Sequence, residues 1–217
     1  MAARYTLILG TKNWSSWSLR PYMAMRAAGA PFEEIVIRLH QPDSKAQILK
    51  HSPAGKVPVL MIEEDGKSYA VWDSLAICEA LAERHPEAKL WPDAARARAE
   101  ARSAAAEMHS GFPDLRDQLT MDFARKLATP QLREATKAQI ARILAAWGYA
   151  LERQDAGFLF GRFSIADCMY APVVSRFLTY GIELPPAASA YCERMRTLPA
   201  MQDWGHAAKA EVDAGLA

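Results

Sequence analysis

Cysteine is scarce in this chain: three in 217 residues, Cys78, Cys168 and Cys192. All three fall in segments that read as helices, and no two are spaced as a metal or redox pair. An odd number argues against a disulfide framework, so the plain reading is three small buried apolar side chains. An excess of either charge is also lacking. The formal net charge is +1 and no stretch reads as a basic arm, which leaves nucleic acid out as an obligate partner. No apolar run approaches the ~18 residues a membrane span needs. The segment Arg4–Gly10 is too short for a signal peptide and has no cleavage site after it. The expectation is a soluble, cytoplasmic protein with no membrane partner. His40 and His51 have no partners at ligand spacing, so no metal is expected. Internal repeats and low-complexity tracts are missing, apart from a mild alanine bias. What the chain does have is apolar content, 51% of its residues. That is enough to bury a real core in one large domain or two small ones.

The first ~85 residues mix two periodicities. Tyr5–Leu9 is a short β-type run. Ser16–Gly29 is helical, with Leu19, Met23, Arg26 and Ala27 three or four apart and Gly29 as a stop. Phe32–Leu39 alternates as a strand. Asp43–His51 reads as a helix with Asp43 or Ser44 at its N-cap. Pro58–Glu63 and Lys67–Val71 form a hairpin turning at Glu64-Asp65-Gly66. Ser74–His85 is a helix stopped by Pro86. The order β-α-β-α-β-β-α is that of a thioredoxin-like α/β domain over residues 1–85, with 86–93 as a linker. Residues 94–217 are rich in Ala, Arg, Glu and Leu and show no strand, so an all-α domain is expected. Its helices are read as Ala94 to about Arg125 (bent near Gly111-Phe112-Pro113), Pro130–Gln154, Ser164–Tyr180 despite Pro172, Pro186–Thr197, and Pro199 to about Ala210.

Four segments hold residues able to do chemistry. Trp14-Ser15-Ser16-Trp17-Ser18 lies between the first strand and the first helix. Its hydroxyls either cap the helix or, with the helix N-terminus, hold an anion. Gly55-Lys56-Val57-Pro58-Val59-Leu60 is a turn leading into a strand that begins at a proline. Taken alone, Val57–Pro58 is expected trans, since only about 5–6% of X-Pro bonds are cis. Asp73-Ser74 opens a helix, as ordinary caps or as hydrogen-bonding groups for a charged ligand. Ser164-Ile165-Ala166-Asp167 is a capping box ahead of an apolar helix and reads as structural.

In this order and spacing the four segments resemble the glutathione S-transferase family over nearly the whole chain. Ser15-Ser16-Trp17-Ser18 looks like the serine-containing active-site segment of zeta-like and bacterial members. The resemblance implies a two-domain transferase fold. It implies Ser15, with Ser16 as the nearest rival, as the hydroxyl that bonds the glutathione sulfur. Val57 would pair its backbone with the cysteinyl part, set by a cis Pro58. Asp73 and Ser74 would bind the γ-glutamyl end, and Lys56 the glycyl carboxylate. Glutathione is then a co-substrate, a small electrophile the second substrate, and a homodimer the expected assembly. The helical domain would supply most of the second-substrate pocket. Its first long helix offers His109, Phe112 and Arg116, while Trp14 and Trp17 would either wall an aromatic electrophile or simply pack. A glutaredoxin-like or omega-like member needs a cysteine at the start of the first helix, and none occurs before Cys78. Conjugation to electrophiles, in a detoxifying role, is the leading expectation. A maleylacetoacetate-type isomerase is an alternative. That class, however, carries Cys where this chain has Trp17, and an arginine where counting from Ser164 gives Thr179, with Arg176 nearest. A non-catalytic glutathione- or ligand-binding module is the third reading.

Overall fold

The structure, a computed structural model, describes residues 3–152 and 157–217. The N-terminal half runs β1 (Arg4–Gly10), α1 (Ser16–Ala28), β2 (Glu33–Ile37), α2 (Ser44–Leu49), β3 (Val59–Glu64), β4 (Lys67–Trp72) and α3 (Ser74–Arg84). The four strands form one sheet in the order β2-β1-β3-β4. β1 pairs parallel with β2 and antiparallel with β3. This is the thioredoxin-like arrangement expected from the element order, because a β-α-β crossover sets strands parallel and a hairpin sets them antiparallel. From Leu7 to Leu9 β1 is apolar and buried, because both faces of the sheet are covered there. Leu7 and Leu9 face the main core with α1 and α3, while Ile8 faces a small second cluster with Ile37, Ile48 and Val59.

Two boundaries tighten relative to the sequence reading. β2 covers only Glu33–Ile37. It is an edge strand, and Ile35 and Val36 stay exposed. The hairpin turn has two residues rather than three, since Glu64 pairs with Lys67. Asp65 and Gly66 both take positive φ, 50° and 73°. That twist matches the flanking strands. α1 stops at Gly29, whose φ of 66° lies in the left-handed region and whose N–H bonds the Arg26 carbonyl. Gly29→Ala is expected to lower stability by about 1 kcal/mol through this backbone strain, since nothing else lies near a Cβ there. A shifted urea midpoint at unchanged slope would register it.

The remainder is helical: α4 (Ala95–Ser110), α5 (Pro113–Gln118), α6 (Glu134–Leu151), α7 (Ile165–Thr179), α8 (Pro186–Arg196) and α9 (Pro199–Asp213). The helix read to about Arg125 ends earlier, at Gln118, and the bend at Gly111 is a full break with Phe112 in a left-handed conformation, φ 62°. α6 starts at Glu134 rather than Pro130; Gln154, its expected end, lies outside the described residues. α7 runs through Pro172 and is buried along nearly its whole length. It packs against α1 on one side and α4 on the other, so one core spans both halves. Trp147 fills its centre, with the rings of Tyr170, Phe177 and Tyr191 set edge-on around it. The capping box is present: Asp167, fully buried, accepts from the Ser164 N–H at 2.8 Å and the Ser164 hydroxyl at 3.1 Å. The three cysteines are buried and unpaired. No helix of the described residues is long and apolar enough to cross a membrane.

Candidate functional site

A cavity of about 530 Å³ opens where the β1–α1 loop, the loop before β3 and the start of α3 converge. Ser15, Ser16, Lys56, Val57, Pro58, Asp73 and Ser74 all line it, as do Trp14, Trp17 and Trp72. The peptide bond Val57–Pro58 is cis. The trans form expected from base frequency alone is therefore corrected.

Ser15 occupies the N-cap position of α1 but makes no side-chain capping bond. Its hydroxyl instead donates to Ser18 Oγ at 2.7 Å, and Ser18 Oγ also receives the Gly10 N–H at 3.1 Å. A hydroxyl pair can reverse direction. Ser18 would then donate to Ser15 and leave the Ser15 proton for a ligand. Ser16 lines the cavity with its hydroxyl unengaged by any described residue. First-turn N–H groups of a helix have no partner within it, and their partial positive charge favours an anion.

Asp73 does cap its helix, accepting from the N–H groups of Leu75 at 2.9 Å and Ala76 at 3.4 Å. It is a non-glycine residue at φ 75°, a strained conformation of the kind that gathers at ligand sites. Beside it the Ser74 hydroxyl is wholly buried and has no partner among the described residues. Such an orphan costs free energy unless something completes it.

His109 and Phe112 line neither this cavity nor the second one described below. Phe112 is turned into the core by the break after α4. His109 stands behind Trp17, rings edge-to-face at 5.3 Å, with Nε2 3.3 Å from Asp73. Burial pushes its pKa down, partly offset by Asp73. Arg116 does reach a cavity, the second one, of about 520 Å³, which shares Trp14, Ser16 and Trp17 with the first.

Three basic residues draw in here from α1, α5 and α7. The Arg20 guanidinium lies 4.2 Å from the Trp17 ring centre and that of Arg116 lies 4.8 Å from it. Arg176 lines the second cavity. Arg20 is completely buried with all three side-chain nitrogens unpartnered. Burial, then repulsion from Arg116 and Arg176, lowers its pKa. Arg176 falls to about 9, through burial and Arg116. No sequence motif singles out Arg20, and Arg176 enters the sequence reading only as the arginine nearest Thr179. The available signal was an arginine with apolar neighbours, Leu19 and Pro21 beside Arg20 and Phe177 and Leu178 after Arg176.

The serine loop is held from far along the chain. Glu211 in α9 accepts the Lys12 and Asn13 N–H groups, each at 2.9 Å. Trp204 Nε1 bonds the Lys12 carbonyl at 2.9 Å. Asn13 in turn bonds Asp122 and the Ala124 N–H, both at 2.9 Å. Glu211→Gln keeps one acceptor and turns an amide against the other N–H, so a loss of about 1–2 kcal/mol is expected in chemical denaturation. Among the described residues no group of three or more His, Cys, Asp or Glu is placed to hold a metal ion.

Residues 14–84 match the family profile described as glutathione S-transferase, N-terminal domain, and residues 130–194 match its C-terminal counterpart. A probable maleylacetoacetate isomerase of Caenorhabditis elegans is 26% identical over 173 residues, covering 79% of each chain. Glutathione S-transferase omega-1 of Mus musculus is 31% identical over 124 residues, 57% of this chain and 49% of that one. Among solved structures, a maleylacetoacetate isomerase from Anaeromyxobacter dehalogenans 2CP-1 with bound GSH is 27% identical. It superposes with a TM-score of 0.70 over 94% of this chain and 95% of that one. Glutathione transferase Omega 2S from Trametes versicolor gives a TM-score of 0.74 over 99% of both chains; at 23% identity that likeness speaks for the fold.

Proposed function

Since this chain belongs to the glutathione S-transferase family of enzymes, we propose that it joins the glutathione thiolate to small electrophiles. In this reading residues 1–85 bind glutathione and 94–217 supply most of the second-substrate pocket. The observation that carries it is the single cavity bounded by Ser15 and Ser16 at the start of α1, the cis Val57–Pro58 bond, and Asp73-Ser74. In this reading Val57, which lines the cavity, pairs its backbone with the cysteinyl unit. The orphaned Ser74 hydroxyl and Asp73 receive the γ-glutamyl end, and the exposed Lys56 the glycyl carboxylate.

The chemistry balances without a protein base. A free thiol titrates near ~8.5, and each unit of depression takes about 1.4 kcal/mol. A helix N-terminus contributes roughly 0.3–1 kcal/mol, up to about 2 when partly buried. A hydrogen bond to a charged acceptor adds about 1.5–3 kcal/mol. Together these depress the thiol by one to two units or more, and the thiolate is the nucleophile.

Calorimetry with glutathione, followed by turnover of a generic aryl halide, tests this reading; an enzyme that neither binds glutathione nor uses it would overturn it. The relatives named maleylacetoacetate isomerase favour a second reading, cis-trans isomerisation of a diacid by reversible glutathione addition. Trp17 and Thr179 stand against it, and no turnover of maleylacetoacetate at saturating glutathione would remove it. Family resemblance also supports a homodimer, which light scattering would read as twice the monomer mass.

A further inference from the structure

We infer that His109 is a positioning residue of the glutathione site: from α4 its neutral ring holds the Asp73 carboxylate that receives the γ-glutamyl ammonium. This inference rests on the transferase reading above and adds what governs the affinity of that site.

The first ground is position. His109 is the last residue but one of α4, and its ring reaches from the helical half to the start of α3. Nε2 lies 3.3 Å from Asp73 Oδ2. The Leu75 and Ala76 N–H groups use the other oxygen, Oδ1. The end of α3 therefore holds one carboxylate oxygen and His109 the other. The clamp steadies an exposed side chain on the cavity wall, carried by backbone at φ 75°. The same ring stands edge-on to Trp17, so it cannot turn away from Asp73 without disturbing a second wall residue.

The second ground is charge. His109 Nδ1 is buried and bonds no described residue. With the ring proton on Nε2, Nδ1 is an acceptor left without a donor. In the imidazolium it becomes a charged donor left without an acceptor, which costs more. Three charged groups face the ring: Asp73 at the start of α3, Arg20 from α1 and Arg116 from α5. The carbonyls of a helix's last turn ordinarily favour a cation. Here Arg116 already engages those of Met108 and Gly111. Burial, with the two guanidinium groups, outweighs Asp73 and lowers the pKa. His109 is thus neutral near pH ~7 and leaves the charge of Asp73 to the ligand. On acidification the imidazolium takes that carboxylate as its own partner, and the ammonium loses it.

The test is calorimetry of S-methylglutathione on the full-length protein between about pH 8 and 5, the window in which histidine charges. The methyl group removes the thiol titration, so the serines do not enter the pH dependence. Kd is expected to rise about 5- to 10-fold towards acid, the lower end of coupling between two sites. Binding at the acid end should release a proton, seen as a heat that varies with the ionisation enthalpy of the buffer. His109→Gln keeps a donor at the Nε2 position but cannot titrate. It is expected to match the wild-type protein at pH ~8 and to show no rise. His109→Leu has no donor and should bind about 5-fold more weakly at pH ~8. A flat wild-type Kd, a comparison that needs no variant to fold, overturns the inference. So does tighter binding on acidification, which would put the imidazolium on the ligand's own carboxylate, or a slope that survives in His109→Gln. A loss in His109→Leu that His109→Gln does not restore would reduce the ring to packing behind Trp17. Absence of binding at every pH fells the glutathione reading and this inference with it, whereas binding without the slope fells this inference alone.

Discussion

Replacing Ser15 with alanine will raise the pKa of enzyme-bound glutathione by about one to two units and lower kcat/KM near neutral pH about 10- to 100-fold. Those magnitudes follow from losing one hydrogen bond to a charged sulfur. Ultraviolet absorbance of the thiolate, titrated against pH in the complex, reads the first number, and steady-state turnover reads the second. The Ser15–Ser18 hydroxyl pair makes the result more specific. If Ser15 is the donor to sulfur, Ser18 must turn to donate to Ser15, so Ser18→Ala will reproduce part of the defect. Ser16→Ala provides the contrast, because Ser16 borders both cavities and its hydroxyl has no partner among the described residues. A full-sized effect in Ser16→Ala and none in Ser15→Ala would move the role one residue along. Unchanged absorbance and turnover in both would end the serine-activated mechanism.

Asp167→Ala will be the most destabilising of these substitutions, by about 3–5 kcal/mol near neutral pH. Asp167 is fully buried and gathers four donors: the N–H groups of Leu159 and Ser164 and the hydroxyls of Ser164 and Tyr191. Removing the carboxyl strands them, and each unsatisfied buried donor costs about 1–3 kcal/mol. Asp167→Asn must turn its NH₂ toward one of the two backbone N–H groups, so an intermediate loss is expected. Burial outweighs the four donors and pushes the Asp167 carboxyl up to about 7. The sign of the pH effect follows. An unfolded aspartate titrates near ~3.9, so between about pH 4 and 7 the folded state holds a proton that the unfolded chain has released. Linkage then makes this group's contribution to stability fall as pH rises through that window and stay level above it. The protonated form is accommodated because the Ser164 and Tyr191 hydroxyls can accept as well as donate. Urea unfolding at several pH values should show the slope in the wild-type enzyme and lose it in Asp167→Ala.

Local rules made much of the N-terminal half legible. The spacing of Leu19, Met23 and Ala27, the stop at Gly29 and the Asp65-Gly66 turn each act within a few residues, and each element appeared close to its expected place. The segments at 13–18, 56–58 and 73–74 were legible for the same reason, and the structure sets them around one cavity. The second cavity was not legible. Phe112 was expected on one long helix, but the break at Gly111–Phe112 resets the helical phase and sends the ring into the core while Arg116 swings to the pocket. Arg176 carries no local signature, because its partners are carbonyls at 119 and 172 rather than a spaced acid. Glu211 is the extreme case: on an exposed helix end it reads as one more solvated charge, yet its two acceptors lie 199 and 198 residues from their donors.

That grip runs against the direction of synthesis. The peptide that presents Ser15 and Ser16 leaves the ribosome well before the carboxylate and indole that seat it, at 211 and 204. A nascent chain can close its sheet early, since all four strands of that sheet lie before residue 73. The loop that carries the serines will nevertheless lack these holding contacts until α9 has been made. Assembly of the N-terminal sheet and seating of the serine loop are thus separate events in the life of this enzyme.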